Sequence, residues 1–209
     1  MELPAPGSTE GSTGASTGAS TSGLSPLGAG FLGGIPTPTP EATVSPERGS
    51  WNDVEPPAGY RVVVIVSGDD AATATLRNAV TAWAAERSVS IDSLNAVTPD
   101  DVATRLNEAV ALQPDLVVGV GDGVVSTFML LTAQNLGQQF LMIGAELPEP
   151  TANVTSLIWP GASPRELGLG LPGEKDPATF TAERGTEAVS AGVASVLHGL
   201  TGIVINLPA

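Results

Sequence analysis

The chain has 209 residues, of which 42% are hydrophobic and 14% charged, enough for one α/β domain with a tail. Its net charge of −14 and its pI near 4.1 argue against nucleic-acid partners and against attraction to an anionic membrane surface. There is no cysteine and only one histidine, His198, so disulfides, thiolate metal sites and multi-histidine metal sites are excluded.

The first quarter of the chain differs in composition from the rest. GSTEGSTGASTGASTSG is typical of a flexible coil, and IPTPTPEATVSPE of a stiffer extended spacer. The sequence therefore predicts a disordered tether over residues 1–57 and a single domain over residues 58–209. Between the two stretches, LSPLGAGFLGGI (residues 24–35) has two interpretations: an apolar patch in a linker, or a segment that docks on the body or on a partner.

From Tyr60 onward, predicted strands alternate with predicted helices. RVVVIVSG has the continuous β-branched composition of a parallel strand buried on both faces. Further strands are predicted in SIDSLNAV, DLVVGVG, QFLMIGAE, NVTSLIWP and GIVINL. Helices are predicted in TATLRNAVTAWAAE, after the cap Thr98-Pro99, in VVSTFMLLTAQNLG up to Gly137, and over residues 181–198. This alternation predicts a three-layer, doubly wound α/β domain with a mainly parallel sheet. If the first five of these strands take the order 2-1-3-4-5, the first and third are neighbours and the loops that follow them face each other.

Polar loops follow three of these strands, at the sheet edge where such folds bind ligands. They are Ser67-Gly68-Asp69-Asp70, Gly121-Asp122-Gly123 and Gly144-Ala145-Glu146. We expect their four acids to share a rim, where a carboxylate would hydrogen-bond a hydroxylated ligand such as a sugar or a ribose. Alternatively, Asp69 or Asp70 caps the first helix and Asp122 the third, with the glycines giving backbone clearance. Trp159 either stacks on a ligand ring or lies in the core or an interface.

Other chemistries find little support in the sequence. The loop after the third strand lacks a dinucleotide fingerprint because Val124 stands at the third glycine position, and no P-loop occurs. There is no G-x-S-x-G nucleophile elbow, and His198 is expected at the helix end opposite the ligand crevice. We therefore expect no enzyme and no cofactor. A carboxylate metal site stays open as a third interpretation, since hard cations need several oxygen ligands.

Several segments, in order, resemble the amino-terminal lobe of the basic-membrane-protein family, which are lipoprotein, type I periplasmic binding proteins that deliver nucleosides to importers. QPDLVVGVG is similar to the third strand and glycine turn of that lobe, QFLMIGAE to its next strand, NVTSLIW to the strand after that, and TEAVSAGVASVL to its lobe-linking helix. The resemblance covers roughly residues 60–200. It implies a type I lobe with ligand contacts at Asp70 and the Gly121 turn. It also implies an extracytoplasmic protein anchored through a lipidated cysteine upstream of residue 1.

The chain also departs from this family. Family members close a ligand between two lobes, and the second lobe is absent from this sequence. Gly144-Ala145 stands where the family has an acid, with Glu146 displaced, and Ala71-Ala72-Thr73-Ala74 replaces the asparagine- and phenylalanine-bearing first loop. We therefore expect a non-enzymatic, surface-tethered module that binds a protein partner or a second lobe.

Two alternatives to this expectation stay open. One is a nucleoside- or sugar-binding protein of an importer, completed by dimerisation, and the other is a metal-dependent hydrolase. A flat apolar patch near Leu147, Trp159 and residues 167–171 would favour the interaction module. A pocket with convergent polar groups at the rim would favour the small-molecule binder.

Overall fold

The computed structural model describes residues 23–147, 150–162 and 175–209. The strands are β1 (Thr43–Val44), β2 (Arg61–Ser67), β3 (Ser90–Ala96), β4 (Leu116–Val120), β5 (Phe140–Ile143), β6 (Val154–Ile158) and β7 (Val204–Asn206). The α-helices are α1 (Ala71–Glu86), α2 (Pro99–Ala111), α3 (Val125–Leu131) and α4 (Ala182–Leu197). Short 3₁₀ helices span Asp122–Val124, Thr132–Gln134 and Pro177–Thr179.

One parallel sheet of seven strands forms the centre of the fold, in the order β1-β7-β6-β5-β4-β2-β3. The strand order reverses between β2 and β4, so the first five body strands, β2 to β6, have the order 2-1-3-4-5 that brings the loops after β2 and β4 together. The run from Val62 to Ser67 is buried throughout, as its continuous apolar composition requires. The domain is a doubly wound α/β fold, as predicted.

Two helices cover each face of the sheet. The apolar sides of α1 and α4 share one core cluster, and those of α2 and α3 share the other. At Gly185 an added Cβ would lie 2.6 Å from Ala79 Cβ, so α4 approaches α1 closely. The connection through α4 runs across the sheet in the same direction as those through α2 and α3, yet α4 lies on the other face. The β6–α4–β7 crossover therefore has the opposite hand from the other three.

The predicted tether needs correction for residues 23–57, which pack against the face formed by α1 and α4. Phe31, Val44, Trp51 and Val54 are at most 6% exposed and belong to the core on that face. Val44 lies in β1, which extends the sheet beside β7. Residues 24–35 are thus a segment that docks on the body, the second of the two interpretations given above. Its large apolar side chains lie among Pro and Gly, a composition typical of a linker, and this composition hid their packing. Residues 1–22, the rest of the predicted tether, lie outside the described residues.

The predicted third helix is broken into shorter pieces. It ends at Leu131 and gives way to the 3₁₀ turn Thr132–Gln134, well before Gly137. The side-chain amide of Asn153 donates to the carbonyl oxygens of residues 132, 135 and 138, at 2.9–3.1 Å. These contacts fix a turn where a regular helix would have continued. No helix within the described ranges has the length and apolar character needed to cross a membrane.

Candidate functional site

The loops after β2 and β4 touch each other directly at the predicted rim. Gly121 has φ +94°, and a Cβ added there would overlap the carbonyl oxygen of Ser67. A Cβ added at Gly123 would overlap the Ser67 hydroxyl. Ser67 itself is only 4% exposed. The glycines therefore serve the close approach of two backbone segments and leave no room for a ligand between them.

Asp70 caps helix α1, which confirms one of the two alternatives for this residue. Its Oδ1 accepts a hydrogen bond from the backbone N–H of Thr73 at 3.0 Å, and its Oδ2 accepts one from the Thr73 hydroxyl at 2.7 Å. Partial burial alone would raise the pKa of the Asp70 carboxyl. The Thr73 hydrogen bonds, the positive charge of Lys175 and the backbone N–H of Ala72 outweigh burial, so the pKa is lowered.

Gly68 and Asp69 complete the first loop. Gly68 has φ +136°, which favours glycine, and a Cβ there would lie 2.9 Å from the Thr73 hydroxyl oxygen. Asp69 is exposed on the outer side of this turn. The first loop is therefore built around Thr73, with Asp69 left facing solvent.

Asp122 forms an ion pair in place of the predicted helix cap. Gly121 holds the cap position of the 3₁₀ helix Asp122–Val124, and no side-chain cap bond is made there. The Lys175 ammonium donates to Asp122 Oδ2 at 2.6 Å and lies 5.0 Å from the centre of the Phe180 ring. The side chains of Lys175 and Asp122 are 25% and 54% exposed. The cap interpretation of Asp122 is therefore wrong, and a lysine of the chain itself neutralises this part of the rim.

Trp159 is a core residue and is not available to stack on a ligand. It is 3% exposed, its indole N–H donates to the Thr179 hydroxyl at 3.1 Å, and its ring packs edge-on against Phe180 at 5.1 Å. Glu146, at 9% exposure, also lies below the open surface of the rim. A Cβ at Gly144 would lie 2.9 Å from the Phe180 ring, so the loop after β5 is tightly packed too.

The structure thus brings only part of the predicted set together. Ser67, Gly68, Asp70 and the Gly121-Asp122-Gly123 turn form one contiguous group, joined by Thr73 and Lys175. The last two were missed by sequence reasoning. Thr73 had a detectable signal, because it stands three residues after a candidate cap. Lys175 is the only lysine in the sequence, but nothing in the pattern around it points to Asp122.

Two further observations bear on the alternatives for this edge. Leu147 is completely buried and Trp159 nearly so, so neither contributes to the apolar surface patch that would have favoured the interaction module; residues 167–171 lie outside the described residues. Within residues 23–147, 150–162 and 175–209, no group of three or more His, Asp or Glu is placed to hold a metal ion. His198 caps the end of α4 that leads into β7, with Nε2 donating to the Ser25 carbonyl oxygen at 3.1 Å.

Comparison with known proteins yields partial structural similarity. No protein-family model matches the sequence, and no curated protein matches it. A solute-binding protein of an ABC transporter system from Aeropyrum pernix K1 aligns with 49% of this chain and 29% of its own, at 18% identity and a TM-score of 0.43. One from Conexibacter woesei DSM 14684 aligns with 48% of this chain and 35% of its own, at 18% identity and a TM-score of 0.41.

A third similar structure is that of GanP, a glucose-galactose binding protein from Geobacillus stearothermophilus. It aligns with 73% of this chain and 59% of its own, at 16% identity and a TM-score of 0.39. The chain spans less than two thirds of each of these three proteins. Similarity at this level gives no ground for assigning their ligands to this chain. The similarity is to parts of these solute-binding proteins.

Proposed function

We propose that this chain is a non-enzymatic module that binds another protein chain and does not take a small solute at its rim. One observation carries the proposal: at the sheet edge where a lobe of this type would hold a ligand, the carboxylates of Asp70 and Asp122 already have partners within the chain. The Lys175 ammonium donates to Asp122 and lies over the Phe180 ring. The backbone N–H and the hydroxyl of Thr73 donate to the two carboxyl oxygens of Asp70.

A solute would have to displace these contacts before it could bind. Ligand pockets normally enclose most of the ligand's surface and are largely formed in advance. Here the first two loops touch at Ser67 and Gly121, and Trp159 is buried under Phe180. A ligand would therefore lose part of its binding free energy to breaking the Lys175 ion pair and would still lie half exposed on a single lobe.

A small-molecule binder completed by dimerisation is the second candidate, and one observation favours it. Asp69 is exposed at the rim, and the Asp122 side chain is 54% exposed beside Lys175. These carboxylates are suitable acceptors for the hydroxyl groups of a sugar or nucleoside. In this candidate, a second lobe covers the rim and the ligand replaces Lys175 as the partner of Asp122.

The setting of the module is also part of the proposal. A Ser/Thr/Gly/Ala-rich stretch over residues 7–23 has the composition of a flexible spacer. Such a spacer suits a domain held at a distance from a surface, and we propose an extracytoplasmic location with a lipid anchor upstream. Mass spectrometry of the protein isolated from its native cells tests this location. An unlipidated protein recovered from the cytoplasm would contradict it.

The test of the proposed function is thermal unfolding of the full chain and of Lys175→Gln against nucleosides, sugars, amino acids, Ca²⁺ and Mg²⁺. A ligand present at 100 times its dissociation constant adds about 2.7 kcal/mol of stability. For a domain of this size, that corresponds to a rise of roughly 5–10 °C in Tm. The proposal predicts no such rise in either protein. A rise in the wild-type chain would overturn it, and a rise confined to Lys175→Gln would favour the second candidate.

A further inference from the structure

An apolar stripe lies exposed on the outer side of α3 and the turn that follows it. We call it the outer stripe; its residues follow helical spacing and are Ser126, Met129, Leu130, Ala133, Leu136 and Gly137. Leu130 is 63% exposed, Leu136 62% and Met129 38%. Three of the five large apolar side chains that are exposed in the described part of the chain thus lie on this one surface. Such clustering is typical of an interaction surface, whereas single exposed apolar residues are ordinary.

The outer stripe is held rigidly by hydrogen bonds beneath it. The buried Asn153 side chain donates to three carbonyl oxygens of the turn after α3. The Thr132 hydroxyl donates to the Phe128 carbonyl at 2.7 Å, and the Asn135 amide donates to the Leu131 carbonyl at 2.9 Å. A surface already fixed in one conformation loses little conformational entropy when it docks.

The charge distribution indicates which partner fits this surface. The chain carries a net charge of −14, yet the whole stretch from Gly123 to Ala145 contains no ionisable residue. Two copies of so acidic a protein repel each other wherever carboxylates face carboxylates. The outer stripe is a surface on which two copies can meet without that repulsion. A basic partner, by contrast, would find no carboxylate here to bind.

The side chains of the stripe also complement themselves. In a twofold interface the same residues lie on both sides, so every group must tolerate its own copy. Apolar side chains, the Ser126 hydroxyl and the neighbouring amide of Gln134 meet this condition, because hydroxyls and amides both donate and accept hydrogen bonds. The small residues Ala133 and Gly137, in the turns after α3, leave room for the two surfaces to approach closely.

From these observations we propose that the outer stripe is the self-association surface of this protein, its occupant being the outer stripe of a second copy. The inference rests on the proposed function, because it names the protein partner of the module as the chain itself. Helix α2, which packs beside α3, pairs its Arg105 with Glu108 at 2.8 Å, and its remaining acids, Asp100 and Asp101, lie in its first turn.

Sedimentation velocity of the full chain tests the proposal. We expect a dimer at a protein concentration of about 100 µM that dissociates on dilution. Leu130→Glu would place two carboxylates face to face and leave a monomer at every concentration. The matched control is Val97→Glu, which adds the same charge at a side chain that is 90% exposed outside the stripe, and it should dimerise like the wild type. A monomeric wild type, or equal effects of the two variants, would overturn the proposal.

Disulfide trapping gives an independent readout, since the chain has no cysteine of its own. Ala133→Cys, in the middle of the stripe, should form a covalent dimer under mild oxidation, and Ala82→Cys, on the exposed side of α1, should not. Equal cross-linking of both variants, or none in Ala133→Cys, would contradict a twofold contact at the stripe. These results can be separated from the proposed function. A monomeric chain whose Tm does not rise with any small ligand would refute self-association alone. A ligand-induced rise in Tm would refute the proposed protein-binding module.

Discussion

The two faces of the sheet differ in what lies over their helices. On the face of α1 and α4, residues 23–57 lay Phe31, Trp51 and Val54 over the helices, and ion pairs from Arg48 to Glu187 and from Arg87 to Glu55 join that segment to them. On the face of α2 and α3, the outer stripe presents Met129, Leu130 and Leu136 to solvent. Within the described residues, the first face carries a cover supplied by the chain and the second is bare.

This difference shows that the burial of an apolar residue depends on its contacts in the folded chain and not on its local sequence alone. The apolar residues of 24–35 look like an accident of a linker, yet Phe31 ends in the core. The leucines of α3 look like ordinary core residues of an amphipathic helix, yet Leu130 faces water. We infer that the bare face is the one available to another chain.

The largest contrast is expected between Phe31→Ala and Leu130→Ala. Phe31 is 1% exposed, and removal of a buried aromatic ring costs about 3–5 kcal/mol of unfolding free energy. Leu130→Ala should change it by less than about 0.5 kcal/mol in the monomer, because the side chain faces solvent. Chemical denaturation at low protein concentration measures both. Equal losses would show that the two faces do not differ as described.

A second contrast uses one substitution at two glycines. Gly121→Ala puts a Cβ against the Ser67 carbonyl at φ +94°, and we expect a loss of about 3 kcal/mol from strain and overlap. Gly137→Ala, in the outer stripe, meets nothing within 4 Å and should be nearly neutral. Thermal unfolding separates the two variants. A neutral Gly121→Ala would mean that the loops at the rim are not tightly packed and would reopen the case for a ligand there.

Loss of the Asp70 cap is expected to have a smaller effect. Asp70→Ala removes both hydrogen bonds to Thr73 and should cost about 1 kcal/mol. Because the pKa of Asp70 is lowered in the folded chain, its contribution is complete above the unfolded value of about 3.9 and is lost as pH falls through the lower folded pKa. Stability measured from pH 6 to 2 should therefore fall less steeply in the variant than in the wild type. Parallel curves would contradict the cap.

Among the contacts at the rim, the smallest effect on stability is expected for Lys175→Gln. The ion pair with Asp122 is partly exposed, with the two side chains 25% and 54% accessible, so its removal should cost less than about 1 kcal/mol and less still at high salt. Denaturation at low and high salt checks this expectation. A loss well above that value, unaffected by salt, would mean that Lys175 stabilises the rim by something other than a screened ion pair.

The sequence was sufficient to predict six of the seven strands and much of the helical layer, but not β1. Continuous apolar runs such as Val62–Val66 and the cap at Thr98 are local signals, and the structure follows them. The occupancy of the rim could not be predicted, because the Lys175–Asp122 pair joins residues 53 positions apart. The packing of Phe31 was hidden for the same reason: it depends on helix faces that exist only in the folded chain.

Hydrogen–deuterium exchange of the full chain, measured against protein concentration and against added nucleosides and sugars, is the most direct test of whether the outer stripe, and not the rim, is the binding surface. We expect peptides covering residues 126–137 to exchange more slowly as protein concentration rises. The exchange rates of peptides covering residues 64–73 and 121–124 should not change with concentration or with any ligand. Protection of the rim by a small ligand, with the outer stripe unaffected at every concentration, would contradict it.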